Sequence, residues 1–144
     1  MAKKVVFGLL ALLLGGLVVY TSLNTGDTYA QAGGVVSAWV NEHFFASQLD
    51  ARQLSALSGF GGKFVGHFLL FLATGLFSAL FLSQYKEKHA LRVAIFLCYG
   101  LVLASLGEVI QIFVPGRNPA LGDVILNFWA YTSLPTLWLL YKRY

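Results

Sequence analysis

Four stretches of the chain are apolar over the length of a membrane-crossing helix, and polar residues interrupt them at only a few positions. The first runs over about 5–23 without a charge. The second, about 64–82, holds His67 near its start. The third, about 91–114, contains Arg92, Glu108 and Gln111, and the fourth, about 121–140, contains Asp123 and Asn127. At about 1.5 Å of rise per residue, each predicts a helix able to cross a hydrocarbon core of roughly 30 Å. Between the first two lies a segment over about 24–62, where Val35, Val36, Trp39, Val40 and Phe44 recur at steps of one, three and four. That spacing predicts an amphipathic helix, with Gln31, Asn41, Glu42 and Gln48 as its polar side. Such a helix beside a membrane lies in the interface, capping the bundle or serving as a lid. Ser58-Gly59-Phe60-Gly61-Gly62 is expected to form a flexible turn into the second span.

Composition agrees with this pattern. The chain of 144 residues is 58% hydrophobic and 11% charged, with a formal net charge of +4. A soluble domain typically carries about 25% charged residues, so a water-facing surface could not be covered here. A soluble enzyme is excluded, and without a basic stripe so is a nucleic-acid binder. The lone cysteine, Cys98, excludes an intrachain disulfide and any CxxC motif; its apolar surroundings predict a small buried residue. The apolar run at the N-terminus is longer than the core of a secretion signal, so it is expected to stay as a helix despite the small-x-small triplet Ala30-Gln31-Ala32. The expectation is an all-α polytopic membrane protein, a single domain over 1–144 of four transmembrane helices plus an external interfacial helix.

The positive charge is a topology signal. Lys3 and Lys4 precede the first span, Lys86, Lys88 and Arg92 surround the connection between the second and third, and Lys142 and Arg143 follow the fourth. Four spans put these groups on one side, which the positive-inside rule makes cytoplasmic, with both termini inside.

The remaining polar residues then converge at the outer end. Lys63 and His67 are four apart and share a helix face, as do Asp123 and Asn127, while Glu108 and Gln111 are three apart. The short loop Pro115-Gly116-Arg117-Asn118-Pro119 joins the last two pairs. An ionisable group one or two turns inside a membrane edge is costly unless paired or wet, and is a functional candidate by default. Each residue also has a structural alternative. His67 can bond a backbone carbonyl, Glu108 and Arg117 can latch the loop, Gln111 and Asn127 can join helices, and Asp123 can complement a helix N-terminus.

At these positions the sequence resembles the VanZ-like family of small bacterial membrane proteins. Lys63-Phe64-Val65-Gly66-His67-Phe68 matches the family's Lys-x-x-x-His-Phe start to a span. Glu108 to Arg117 matches Glu-x-x-Gln-x-x-x-Pro-x-Arg, and Asp123 with Asn127 completes the pattern. Two departures stand out: Gly107 occupies a position where many members are acidic, and the last span lacks the glycine-rich run that many members have. The resemblance implies a role at the cell envelope, where the family takes its name from a protein associated with teicoplanin resistance.

The leading expectation is recognition of, and chemistry on, an anionic lipid or lipid-linked glycan at the outer leaflet. Lys63 and Arg117 would hold the headgroup together with Gln111 and Asn127. His67, Glu108 and Asp123 are the candidate acid–base residues, with His67 and Glu108 as a hydrogen-bonded pair. No cofactor is implied, and no HExxH-type spacing supports a metal. Two other classes compete: a non-enzymatic membrane scaffold or docking factor whose polar cluster is structural, and a small transporter, which would place its polar groups nearer the bilayer midplane.

Overall fold

The computed structural model describes residues 2–24, 26–45, 48–63, 67–86 and 88–141, and within these the Lys63 side chain, like several others, lies outside the described residues. They form six α-helices: α1 (Ala2–Ser22), α2 (Gly26–Phe44), α3 (Ala51–Lys63), α4 (Leu69–Leu82), α5 (His89–Gln111) and α6 (Leu121–Tyr141). Helices α1 and α5 are long and apolar enough to cross a membrane, and α4 is a shorter apolar helix.

Four helices form a bundle in the order α1, α4, α6, α5 around its perimeter, with α5 closing back onto α1. Lipid tails are as apolar as leucine, so helices in a bilayer associate through close packing and hydrogen bonds. Small residues supply the closeness here. Tyr131, fully buried on α6, stacks on Phe96 of α5 with ring centroids 4.6 Å apart. Its ring lies over Gly100, and its backbone carbonyl lies against Gly75 of α4, where a methyl group would collide with it. Pro135, four residues on, has no N–H to give that carbonyl, so a mid-helix carbonyl that the helix cannot satisfy in the usual way abuts a glycine. Val18, Phe71, Ala104 and Ala130 complete the centre.

The outer surface of the bundle is apolar. Leu12 and Leu13 of α1, Leu101 and Val102 of α5, and Ile125 and Trp129 of α6 are all exposed. Cys98 is also exposed on α5, which corrects the expectation of burial: its helix turns it away from the seam that Phe96, Gly100 and Leu103 occupy. At one end of the bundle the Lys4 ammonium sits 4.6 Å from the centre of the Tyr85 ring, bringing the N-terminal lysines beside the basic α4–α5 connection.

The segment between the first two apolar runs departs from expectation. It is a hairpin of two helices, α2 packed on α3, with little contact to the bundle. The stretch expected as a glycine-rich turn is the end of α3. Asp50 and Gln53 explain its start. The Gln53 N–H donates to Asp50 Oδ1 at 2.8 Å and the Asp50 N–H to Gln53 Oε1 at 2.9 Å, a reciprocal cap. The hairpin bend is tied by the Leu49 N–H, which donates to Asn41 Oδ1 at 3.2 Å. Asn41, expected on the polar outer side, is therefore buried.

Candidate functional site

The site is built at the junction of α5 and α6 and is met by the start of α4. After Gln111 the helix tightens into a turn. The Arg117 N–H donates to the Val114 carbonyl at 3.3 Å, with Pro115 and Gly116 between them and Gly116 at φ 73°. Proline at the second position and a left-handed glycine at the third are what a type II turn requires. This turn sends the chain back toward α5, so the Arg117 side chain returns to the helix it has just left.

Three helices then share one chain of hydrogen bonds. Arg117 donates from Nε and Nη2 to Gln111 Oε1, at 3.0 and 2.7 Å. Gln111 Nε2 donates to Glu108 Oε1 at 3.1 Å. Glu108 Oε2 accepts the backbone N–H of Ala120 at 3.2 Å. At the other end of the chain, Arg117 Nη2 lies 3.3 Å from His67 Nε2. Guanidinium nitrogens only donate, so His67 Nε2 is the acceptor, and the proton of the neutral ring belongs on Nδ1. A π-helical turn at 67–68 leads His67 into α4, a deformation frequent at functional sites. Its ring runs nearly parallel to that of Phe71, with centroids 6.4 Å apart.

Glu108, Gln111 and His67 are all buried. Ala120 caps α6, its carbonyl accepting from the Asp123 N–H at 2.9 Å. The Glu108 carboxylate thus sits at the positive end of α6 and satisfies one of the donors that a helix start leaves open. Arg117 and Asp123 both act on it electrostatically. Asp123 is half-buried in the first turn of α6, and Asn127, one turn further on, is 2% exposed.

Of the seven residues expected to form the site, His67, Glu108, Gln111 and Arg117 are joined directly. Asp123 and Asn127 share the adjoining start of α6. Lys63 ends α3, and its side chain lies outside the described residues. In the described contacts His67 and Glu108 are linked through Arg117 and Gln111. The participant that sequence reasoning missed is the Ala120 backbone N–H. Pro119 just before it and the apolar run after it were the available signals of a helix start. Among the described residues no group of three or more His, Cys, Asp or Glu side chains is arranged to hold a metal ion.

The departure at Gly107 also has a structural reason. Gly107 is buried against α1, where an added Cβ would lie 3.1 Å from Ser22 Oγ. Ser22 is itself fully buried and donates to the Val18 carbonyl at 2.9 Å. A side chain at 107 therefore requires the Ser22 hydroxyl to give way by a few tenths of an ångström.

Comparison with curated proteins and with solved structures finds no match. The family model described as VanZ/LLP1 matches residues 7–140, which takes in most of each bundle helix and every residue of the polar chain, and on that match the chain belongs to the VanZ/LLP1 family.

Proposed function

We propose that this protein is a multi-pass component of the bacterial cytoplasmic membrane, with four spans and both termini inside, that binds an anionic lipid or lipid-linked glycan headgroup at the outer leaflet. The observation that carries the reading is the fixed guanidinium of Arg117. A flexible arginine would lose side-chain freedom on gripping a phosphate or carboxylate, whereas one already held by Gln111 and His67 has lost much of it in advance. Glu108 and Ala120 anchor that arrangement to α6. Lys63 is proposed as the second cation of the site and Asn127 as a further polar contact, and His67, Glu108 and Asp123 are the groups available for proton transfer on a bound headgroup. A change in glycopeptide susceptibility, teicoplanin in particular, is the expected phenotype in cells.

The test is binding by the purified protein to vesicles of phosphatidylcholine with and without phosphatidylglycerol, comparing the wild type with Arg117→Ala and His67→Ala at matched folded yield. Selective loss of anionic-vesicle binding supports the proposal. Unchanged binding by both folded variants overturns it.

A second reading has its own support: the same hydrogen bonds can serve only to lock α5 to α6, since Glu108 spends both its oxygens inside the protein. On that reading Glu108→Ala lowers folded yield, and the protein that does fold retains its envelope phenotype.

A further inference from the structure

The α2–α3 hairpin is built inside out for water. A water-exposed helical pair hides its large apolar side chains in the seam and shows its polar ones to solvent. Among the described residues of α2 the buried ones are polar: Ser37 is 4% exposed and Asn41 is 9% exposed. Opposite them, one turn apart, Val35 is 72% exposed and Trp39 is 53% exposed. Trp39 stacks on His43, with ring centroids 4.6 Å apart, and meets Phe44 edge-on at 5.8 Å. The result is an aromatic knot on the outward side of the helix.

Three observations say what covers this face. First, among the described residues the hairpin packs on itself with little contact to the bundle. Second, both ends of the hairpin are tethered to the bundle at short range. α1 ends at Ser22 and α2 begins at Gly26, while α3 ends at Lys63 and α4 begins at Leu69. The exposed apolar belt of α1 continues through Tyr20 and Leu23, within a few residues of the start of α2. Third, residues 24–63 carry only five Asp, Glu, Lys or Arg, and the exposed mixture of Trp, Phe and His is the one that favours headgroup depth.

We infer that the hairpin lies along the outer leaflet, with the Val35–Trp39 face of α2 sunk into the boundary between headgroups and acyl chains. The buried polar groups are then satisfied within the hairpin: Asn41 ties the bend by accepting from the Leu49 N–H, the Ser37 hydroxyl donates to the Gly34 carbonyl of its own helix, and Val35 and Trp39 are left for the lipid. This rests on the membrane placement proposed above and is independent of headgroup binding at Arg117.

The test is nitroxide accessibility in the full chain, carrying Cys98→Ser and reconstituted in phosphatidylethanolamine–phosphatidylglycerol vesicles, with single labels at Val35→Cys, Arg52→Cys or Leu13→Cys. Arg52 is an exposed position on α3 and Leu13 an exposed position on α1. The expected result is a label at 35 rich in oxygen collisions and shielded from a water-soluble nickel chelate, at a depth of about 5–10 Å, with the label at 52 open to nickel. Nickel access at 35 equal to that at 52, with 13 still shielded, overturns the inference and leaves the membrane placement standing. Nickel access at both 13 and 35 overturns both. Shielding at 35 accompanied by dipolar broadening between labels means that a second copy covers the face, and this also overturns the inference. Repeating the label at 35 in the Arg117→Ala background is expected to leave its depth unchanged.

Discussion

Arg117 and His67 stand 50 positions apart in the chain, yet Nη2 of one lies 3.3 Å from Nε2 of the other. The contact links the turn between α5 and α6 to the start of α4, and it imposes a chemistry on both partners: the arginine donates, so the imidazole accepts and is neutral while the contact lasts. A cationic group is thereby oriented by two uncharged side chains, Gln111 and His67.

The first prediction concerns the shape of that cation. Arg117→Lys keeps the charge but replaces a planar fork with a point donor, which cannot span Gln111 Oε1 and His67 Nε2 as Nε and Nη2 do. Anionic-vesicle binding is expected to fall by about tenfold, a loss of about 1.4 kcal/mol, with folded yield close to wild type. Titration by vesicle flotation measures it.

Glu108 is used as an acceptor twice, by Gln111 Nε2 and by the Ala120 N–H. Glu108→Gln is nearly the same size, but one of its two terminal atoms becomes a donor and confronts a donor. One hydrogen bond is lost inside a buried site, for an expected cost of about 1–3 kcal/mol. A lowered melting temperature in detergent checks it. Glu108→Ala, which strands both donors, is expected to lower it further.

Packing around Tyr131 makes a sharper test of the bundle itself. Gly75→Ala drives a methyl into the Tyr131 carbonyl, a backbone atom that cannot rotate away, and is expected to cost about 3 kcal/mol or more, at or above the top of the usual range for overpacking. Gly16→Ala, with open space around its added methyl, is expected to be neutral or mildly stabilising. Folded yield and melting temperature of the two variants compare the same chemical change at two positions.

The family departure at position 107 predicts a coupled pair. Gly107→Asp alone is expected to destabilise, since its side chain meets Ser22 of α1. Adding Ser22→Gly removes the obstructing hydroxyl and is expected to recover part of the loss. A double-mutant cycle on melting temperature reads the coupling, and strict additivity would show that α1 and α5 do not press on each other there.

Much of this protein was legible in its sequence because long apolar runs follow simple rules. Apolar runs and their lengths are local properties, and they delimited α1, α5 and α6 to within a few residues. The rarity of polar residues within the apolar runs made His67, Glu108 and Gln111 conspicuous, Arg117 stood in the short loop between two of them, and the topology read from the basic residues put all four at one end. What spacing could not supply was the order of the hydrogen bonds. Whether His67 meets Glu108 or Arg117 depends on how a left-handed Gly116 turns the loop, and whether Glu108 is satisfied depends on a backbone N–H that has no side-chain signature.

The hairpin shows the same division. Its helical spacing was visible over 35–44, but periodicity assigns a face only relative to an assumed environment. The sequence, taken alone, determined that α2 has an apolar and a polar side. Only the tertiary structure decided that Ser37 and Asn41 are buried while Val35 and Trp39 are exposed. The physical reason is that hydrophobic patterning records which side chains avoid water without recording whether protein or lipid takes water's place. Packing, which brings a glycine against a carbonyl and a guanidinium against an imidazole across 50 residues, makes that choice.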